Sequence, residues 1–491
     1  MSFAEKLRAG LGDLFTSGPV EIRENGGRTT PMPPLSWEVR GAEDKPLLHL
    51  WAENCNVTRR VLAIADQSNE RILLSVERFG RSSPGRMEII RLSFQRNPKQ
   101  ISREDFRELL RRILAEKFPD ETVERLSVAP DLEHSLSRVY ARGISRKGAI
   151  RGAFLAVPEG ETQDAIESSL TFALLWLERA RQSRGNASVS FLRLILPEGK
   201  AALLGHQLNA LDRRLAIQVY ELNYRLEQVE RTDPRANGNI NSWLAPRHES
   251  ELLLDRARSD LAGIVAMAPE AISPHVVPRE PEVLLRFRGL PFARWREGVV
   301  TYGTGKTWRE LRGRNEHELK QLLQNLRNLR NPAADPRHLF YRAQPERWMQ
   351  AMVMQDVNRV DVALDPEYVY EQVIARTAGQ HGVLDLLTVT KSKRLAILEF
   401  KAAENPELPL QAADYWDRIR RHQTQGDLVR YGYFPHLQLQ DAPPIVYLVA
   451  PALRFHPTTG TILSYLSAEM EVVRVGLAEN WRRGLRVVMR Q

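Results

Sequence analysis

The chain has 491 residues, of which 43% are hydrophobic and 27% charged, and its formal net charge is +9. This composition predicts a globular protein with two or three domains and excludes a disordered chain. Apolar runs fall well short of the roughly 20 residues of a spanning helix, so no membrane span is predicted. The N-terminal segment MSFAEKLRAGLGDLF carries charges where a secretory signal needs an apolar core, so no secretory leader is predicted. The single cysteine, Cys55, cannot form an internal disulfide, and we expect a cytoplasmic protein.

The basic excess is mostly arginine and is unevenly distributed along the chain. Arginine supplies 59 of the 70 basic residues, and from Tyr341 onward 18 basic residues nearly balance 17 acidic ones. Arginine binds phosphate in a bidentate manner, so the excess before Tyr341 favours contact with a polyanion. A solvated basic surface without a partner explains the same excess equally well.

Residues 1–100 are predicted to form a leader and a small β-rich unit. Up to about Leu35, glycine and proline punctuate the sequence, and we expect little capacity to form a core there. Short aliphatic and aromatic runs follow, separated by turn-like segments, which is typical of β-strands.

Residues 101–230 are predicted to form an α/β domain. Ser102 is placed to cap a helix whose apolar residues recur at helical spacing. Three strands, a long helix from Thr162 to Arg181, a strand, a second helix and a last strand are expected to follow, up to Leu222.

Residues 231–340 are predicted to hold a polar linker, a β-hairpin and a helical connector. The hairpin alternates basic and aromatic side chains: Arg286, Phe287, Arg288, Phe292, Arg294, Trp295 and Arg296. Arginines beside aromatic rings suit single-stranded nucleic acid, although the two faces of an ordinary hairpin give the same pattern.

Residues 341–491 have the most regular pattern, with the order helix, three strands, helix, strand. This order predicts a mixed-sheet αβββαβ core, so that the chain as a whole is α/β, in the broader sense α+β. A hairpin across the KSK turn joins two strands, GVLDLLTVT and RLAILEFKA. The helix from Leu408 to Gln425 carries Arg418, Arg420 and Arg421, which are expected either to contact phosphates or to form a solvated face.

Charged residues interrupt these two apolar strands at one end. Glu399 and Lys401 are two apart and so share a strand face, and the hairpin brings Asp385 toward them. Two carboxylates form an oxygen site suited to Mg²⁺, and a lysine beside them can hold a water molecule. Gln411 and Tyr415 follow at i and i+4 on one helical face. A structural ion pair at a strand end explains Glu399 and Lys401 alone, but not easily all five residues.

The segments GVLDLL, RLAILEFKA and LPLQAADYW resemble the active-site core of the PD-(D/E)XK nuclease superfamily, in the RecB-like branch that carries a Q-x-x-x-Y helix. The resemblance covers roughly Gln344 to Val475, under a third of the chain. It implies a restriction-endonuclease-like fold and Mg²⁺- or Mn²⁺-dependent cleavage of DNA. One departure is that Leu384 stands where the family often has proline before the aspartate.

The resemblance also implies a role for each matching residue. Asp385 and Glu399 would be metal ligands together with the backbone carbonyl of Phe400, and Lys401 would serve the attacking water. Gln411 and Tyr415 would position the site. Glu346, at the start of the first core helix, matches a further ligand of the branch, although an acidic residue there also suits the helix dipole.

The region from Ser102 to Leu222 has the same predicted element order as the C-terminal core, without an acidic pair or a lysine at the matching positions. We therefore hypothesise a degenerate copy of the nuclease-like core that binds substrate or mediates assembly. The leading function is a metal-dependent deoxyribonuclease of DNA repair, restriction or phage defence. The alternative is a nucleic-acid-binding or assembly protein with little or no activity. The sequence leaves open RNA as a substrate, and it leaves open a homodimer.

Overall fold

The computed structural model describes the residues of the chain in the following ranges. They are 2–16, 20–24, 27–29, 36–41, 44–52, 55–67, 71–77, 84–91, 102–129, 139–183, 189–224, 226–235, 242–277, 280–305, 307–371, 373, 375–376 and 384–491. The chain divides into two units. The first holds residues 1–242, 376–381 and 460–467, and the second holds the remainder. None of the helices in the described ranges has the length and apolar character needed to cross a bilayer.

The first unit begins with a helix packed on an antiparallel sheet. The elements are α1 (Phe3–Thr16), β1 (Val20–Glu24), β2 (Gly27–Thr29), β3 (Ser36–Arg40), β4 (Leu47–Ala52), β5 (Cys55–Gln67), β6 (Arg71–Val76) and β7 (Gly85–Arg91). The sheet order is β2-β1-β7-β6-β5-β4-β3. Leu7, Leu11 and Leu14 of α1 are fully buried in the core of this sheet. The prediction of little core-forming capacity in this segment is therefore wrong.

The second part of the first unit contains the predicted α/β order. The elements are α2 (Arg103–Lys117), β8 (Thr122–Ser127), β9 (Ala141–Lys147), β10 (Ile150–Ala156), α3 (Gln163–Gln182), β11 (Val189–Pro197), α4 (Gly205–Asn209), β12 (Ile217–Asn223) and β13 (Gln228–Thr232). The sheet order is β13-β12-β11-β10-β9-β8, in which β11 pairs in parallel with both β10 and β12, and the other pairs are antiparallel. The Ser102 side chain accepts a hydrogen bond from Asp105 N, which confirms the predicted cap.

A short segment from the C-terminal part of the sequence completes the first unit. Within residues 460–467, the carbonyl oxygen of Tyr465 accepts a bond from Asp212 N at 2.9 Å. The Tyr465 hydroxyl donates to Glu178 Oε2 at 2.6 Å, and Ser467 N donates to the carbonyl oxygen of Ala210 at 2.8 Å. The first unit is therefore discontinuous in sequence.

The second unit begins with an antiparallel sheet flanked by helices. The elements are β14 (Trp243–Leu244), α5 (Arg247–Val265), β15 (Ile272–Val277), β16 (Glu282–Phe287), β17 (Leu290–Arg296), β18 (Val299–Thr304), β19 (Thr307–Glu310), α6 (Glu316–Leu329) and α7 (Leu339–Arg342). Strands β15 to β19 pair in sequence order. Phe287, Phe292 and Trp295 are buried in the core with α5 and α6. These rings are not available to stack on bases, so the hypothesis of a single-strand platform is wrong and the hairpin is an ordinary one.

The C-terminal part of the second unit has a mixed sheet with helices. The elements are α8 (Pro345–Gln355), β20 (Tyr370–Glu371), β22 (Leu386–Val389), β23 (Leu395–Phe400), α9 (Leu408–Thr424), α10 (Asp427–Arg430), β24 (Ile445–Pro451), β25 (Val472–Leu477) and β26 (Val487–Arg490). Two short elements fall where the chain passes between the units: β21 (Ala375–Arg376), which pairs with β14, and α11 (Thr459–Leu463), whose residues from 460 on belong to the first unit. The order of the mixed sheet is β20-β22-β23-β24-β25-β26, and β24 pairs in parallel with β23 and β25. The predicted hairpin across Lys391–Lys393 is confirmed by the antiparallel pairing of β22 with β23. Helices with mixed and antiparallel sheets make the chain α+β.

Candidate active site

The site lies at the end of β23, a strand whose residues are all buried. Its two faces alternate, and Leu398 and Phe400 belong to the core cluster that contains Trp348 of α8. Glu399 therefore points the other way, and it is only 4% exposed. Lys401 N extends the pairing by donating to Val449 O at 3.0 Å. The Lys401 Nζ lies 3.8 Å from Glu399 Oε1, so the two side chains share one face.

Asp385 lies beside this pair, immediately before β22 begins. The β22–β23 register pairs Leu386 with Leu398, so one further step places Asp385 opposite Glu399. Its Oδ2 accepts a hydrogen bond from Phe400 N at 2.9 Å. The hairpin thus fixes both carboxylates at the same end of the sheet, because Asp385 and Glu399 each lie next to the paired residues Leu386 and Leu398.

Burial and mutual repulsion disfavour ionisation of both carboxyl groups. Burial raises the pKa of Asp385 to about 6, against the opposing effects of the Phe400 N–H and the charges on Lys401 and Arg347. Burial also raises the pKa of Glu399 well above its usual range, and the charge on Asp385 adds to this effect. A bound cation would remove this repulsion, since opposite charge favours the ionised forms.

Helix α9 contacts β23 and carries an amide, Gln411, and a phenol, Tyr415. Gln411 lies in the first turn of α9, and Tyr415 follows one turn later. Burial raises the pKa of Tyr415 well above its usual range, and the charges on Glu399 and Asp385 raise it further, so this phenol lies near both carboxylates. Glu399 Oε2 and Gln411 Oε1 are buried atoms without a hydrogen-bond partner in the described part of the chain. Buried oxygens without partners are costly, and a cation or a water would satisfy them.

The donor atoms of this site suit Mg²⁺ or Mn²⁺, because such an ion needs only one or two protein carboxylates. In the described ranges, no three His, Cys, Asp or Glu side chains converge closely enough to hold an ion. Mg²⁺ commonly takes one or two carboxylates and completes its coordination with water and substrate phosphate. Asp385 and Glu399 supply that number of carboxylates, and their oxygens are of the hard type that Mg²⁺ prefers.

Glu346 lies in the first turn of α8 and close to the same strand end. Its Oε1 accepts a hydrogen bond from Ala402 N at 3.1 Å, and its negative charge contributes to the raised pKa of Asp385. Glu346 therefore already has a structural role in holding the chain that follows Lys401.

Two neighbours of the site were not predicted from the sequence. Gln350 Nε2 donates to the backbone oxygen of Asp385 at 2.9 Å, and the charge on Arg347 acts on the Asp385 carboxyl. Gln350 lies four residues after Glu346 on α8, so the i, i+4 spacing is a signal that would have identified it.

The arginines of α9 are held by acidic residues. Arg418 is fully buried, and its Nε donates to Asp414 Oδ2 at 2.6 Å. Arg421 Nε bonds to Asp417 at 2.9 Å, and Arg420 Nη1 donates to the carbonyl oxygen of Asp441 at 2.8 Å. The expectation that Arg418 contacts phosphates or lies on a solvated face is wrong, because its guanidinium is enclosed by the fold.

Comparisons with known proteins leave the family undetermined. No family model matches the chain, and no curated protein matches it. One similar solved structure is an EndoMS–dsDNA2 complex, with 12% identity and a TM-score of 0.17, covering 42% of this chain and 64% of the other. Another is a repair endonuclease from Pyrococcus abyssi, with 12% identity and a TM-score of 0.15, covering 44% of this chain and 95% of the other. The chain thus spans less than two thirds of the first protein, and similarities this low carry no argument on fold or function.

Proposed function

We propose that this chain is a metal-dependent nuclease that hydrolyses phosphodiester bonds of DNA. The observation that carries the proposal is the pair Asp385 and Glu399, held together at one end of a mixed sheet with Lys401 beside them. The carboxylate pair is costly to ionise without a cation, and a bound metal would offset that cost.

Each residue of the site has a distinct role in this proposal. When bound, Mg²⁺ would stabilise the charge that develops on the phosphodiester. Asp385, Glu399 and the backbone carbonyl of Phe400 would hold the ion. Lys401 would hold the attacking water by a hydrogen bond, since its ammonium group lies beside Glu399 and is partly accessible. Gln411 and Tyr415 would orient the Glu399 carboxylate.

The test is cleavage of linear duplex, circular duplex and single-stranded DNA, and of RNA, with Mg²⁺, with Mn²⁺ and with EDTA. Three variants remove one group each: Asp385→Asn, Glu399→Gln and Lys401→Met. We expect each to lower the cleavage rate at least about a hundredfold, because general acid–base and electrostatic contributions are usually of that size or larger. EDTA should abolish cleavage by the wild type.

Matched controls separate a site effect from a general loss of charge. Glu404 and Lys391 are exposed residues of the same unit, so Glu404→Gln and Lys391→Met should cleave at the wild-type rate. Cleavage that survives all three site substitutions would show that the site is misassigned. If no substrate is cut with either metal, the alternative of a nucleic-acid-binding or assembly protein replaces this proposal.

We also propose that residues 103–232 form a second copy of the same core without its chemistry. The sheet β8-β9-β10-β11-β12-β13 and the sheet β20-β22-β23-β24-β25-β26 share their strand order and the sense of every pairing, while β21 belongs to a separate sheet with β14. Strand β10 pairs with β11 in the same register in which β23 pairs with β24. Val157 N donates to Ile195 O at 2.9 Å just after β10, as Lys401 N donates to Val449 O at 3.0 Å just after β23.

This register assigns residues to the positions of the catalytic set. Three residues replace the aspartate, the glutamate and the lysine, in that order: Arg142, Leu155 and Val157. The Arg142 guanidinium lies 5.8 Å from the Trp176 ring, and its Nη2 donates to Ala129 O at 2.6 Å. An arginine and two apolar residues cannot bind a divalent cation, so this copy would not cleave.

Metal binding tests the second copy without a cleavage assay. Titration calorimetry with Mn²⁺ on the full chain should show binding to the wild type. The double variant Asp385→Asn with Glu399→Gln should lose it. Residual Mn²⁺ binding of wild-type affinity in the double variant would indicate a second functional metal site and contradict the idea of a degenerate copy.

A further inference from the structure

A cavity of about 490 Å³ lies within the second unit, next to α8. Its lining includes α8 from Arg347 to Gln355 and the β16–β17 turn at Arg288 and Gly289, which packs directly against the start of α8. The volume is within the range of small-molecule sites in proteins. Trp348, Ile272 and Met352 provide apolar lining, so the cavity has room and surface for more than a bare ion.

The charged groups of this cavity are mainly positive. Its described lining contains four arginines, Arg286, Arg288, Arg347 and Arg482, and two glutamates, Glu270 and Glu371. We call it the arginine cavity. The carboxylate of Glu371 is shared, since it bonds Arg286 Nη1 at 3.1 Å and His275 Nδ1 at 2.8 Å. The arginines therefore outnumber the carboxylates that could neutralise them.

Two of these arginines have buried N–H groups without a partner. Arg347 Nη1 and Arg482 Nε are buried and make no hydrogen bond to the described residues. The Arg482 guanidinium is held against aromatic rings, 4.2 Å from the Trp481 centroid and 5.2 Å from that of Trp348. An unpaired donor on a buried charged group is costly, so an anion with several acceptor oxygens would stabilise this arrangement.

Repulsion among the arginines also favours a bound anion. Burial lowers the pKa of Arg286 to about 10, and the nearby charge of Arg347 contributes to this shift. Burial lowers the pKa of Arg330, whose Nη2 donates to Arg288 O at 2.9 Å, to about 9, and the charges on Arg482 and Arg288 lower it further. Both Arg286 and Arg330 remain protonated near neutral pH, so positive charges are kept together in poorly solvated surroundings. A phosphate group would offset part of this repulsion.

The arginine cavity shares residues with the surroundings of the candidate active site. Gln350 lines the cavity and donates to the backbone oxygen of Asp385 at 2.9 Å. Arg347 also lines it, and the charge of Arg347 acts on the Asp385 carboxyl. We propose that the arginine cavity binds one nucleotide unit of the nucleic acid, with its phosphate against Arg347 and Arg482, beside the phosphodiester that is cleaved. The identity of the anion as a nucleotide rests on the proposed function, whereas the excess of arginines does not.

The test uses the full chain in EDTA, so that binding is measured without cleavage. Titration calorimetry would compare three probes: 2′-deoxyadenosine 5′-monophosphate, 2′-deoxyadenosine and inorganic phosphate. Hydrogen bonds to charged groups contribute about 1.5–3 kcal/mol, so the monophosphate should bind roughly ten- to a hundredfold more tightly than the nucleoside. Equal binding of the two would overturn the proposal. Inorganic phosphate that binds as tightly as the monophosphate would overturn the nucleotide assignment and leave a simple anion site.

Variants locate the binding in the cavity. Arg347→Gln should weaken monophosphate binding at least about tenfold, which corresponds to 1.4 kcal/mol. Arg347→Lys should lose less, because it keeps the charge and loses only the fork of donors. Arg337→Gln is the matched control, since Arg337 is exposed in the same unit, and it should bind as the wild type does. Unchanged affinity in both Arg347 variants would place the ligand elsewhere and refute the proposal.

The outcome separates this inference from the proposed function. A chain that cleaves DNA through Asp385 but shows no preference for the monophosphate retains the proposed function and loses the nucleotide site. A chain that binds the monophosphate through Arg347 but cuts no substrate retains the site and loses the nuclease assignment.

Discussion

Asp385→Asn should stabilise the metal-free protein near pH 7.5. In the folded chain the Asp385 carboxyl has a pKa of about 6, raised from 3.8. In the unfolded chain it ionises near its usual pKa, so the folded state binds more protons between these values. Stability therefore falls as the pH rises from about 4 to about 6, and the full penalty is present above that window. Asparagine removes the penalty and keeps an oxygen that accepts the bond from Phe400 N.

The magnitude follows from the two pKa values. The difference between 3.8 and about 6, at about 1.4 kcal/mol for each pKa unit, corresponds to about 3 kcal/mol near pH 7.5. Near pH 4 the same relation gives below about 1 kcal/mol, because the group is then largely protonated in the folded state and half protonated in the unfolded state. Each kcal/mol moves the Tm of a unit of about 150–250 residues by roughly 2–4 °C, so a rise of roughly 6–12 °C is expected.

Scanning calorimetry in EDTA at about pH 7.5 and about pH 4 would measure both values. Asp441→Asn is the matched control, because the Asp441 side chain is 95% exposed and its removal should change Tm little. Added Mg²⁺ should raise the Tm of the wild type and have little effect on Asp385→Asn, because the ion binds the folded site.

Two results would refute the reasoning. A variant that is no more stable than the wild type near pH 7.5 would show that Asp385 carries no penalty for ionisation. A gain in stability that is equally large near pH 4 would show that its origin is packing or hydrogen bonding and not the ionised carboxyl.

Three further predictions concern packing, a buried ion pair and a turn. Leu11→Ala should lower the free energy of unfolding by about 2–5 kcal/mol in urea titrations, because Leu11 is fully buried; a loss under about 1 kcal/mol would mean that α1 adds little to the core. Asp414→Ala should cost about 3–5 kcal/mol, since it removes the carboxylate that pairs with the buried Arg418 guanidinium, and an unchanged unfolding midpoint would argue against this pairing. Gly289→Ala should lower Tm and weaken monophosphate binding, because Gly289 has φ +82° and an added Cβ would lie 2.3 Å from Arg347 O; wild-type values for both would contradict that clash.

The sequence was most informative where the structure is local. The β22–β23 hairpin was predictable because two apolar strands flank a three-residue turn, and strand alternation then places Glu399 and Lys401 on one face. Asp385 follows from the same hairpin. Helix α9 was predictable from its apolar periodicity, which also set the spacing of Gln411 and Tyr415. The roles of these residues remain predictions, because the fold gives positions and not rates.

Features that depend on tertiary packing were not predictable. The apolar stripe of α1 is short and interrupted by Gly10 and Gly12, so the sequence alone gives only a weak signal for a helix there. The stripe is buried because the antiparallel sheet of the first unit packs against it. The burial of Arg418 depends on Asp414 facing inward, which helical spacing alone does not decide. The arginine cavity joins Arg288 and Arg347, which are distant in sequence and meet only because the β16–β17 turn packs against α8.

The discontinuity of the first unit has a consequence for vectorial synthesis. Its contacts to Tyr465 cannot form until the ribosome has passed Ser467, by which point most of the second unit has already been translated. During synthesis, the earlier part of the first unit therefore lacks its contacts with Tyr465 and Ser467 until residues 460–467 have been made. For the same reason a gene split after residue 242 would yield a first half that lacks residues of its own unit, and co-expression of the two halves would be required to restore them.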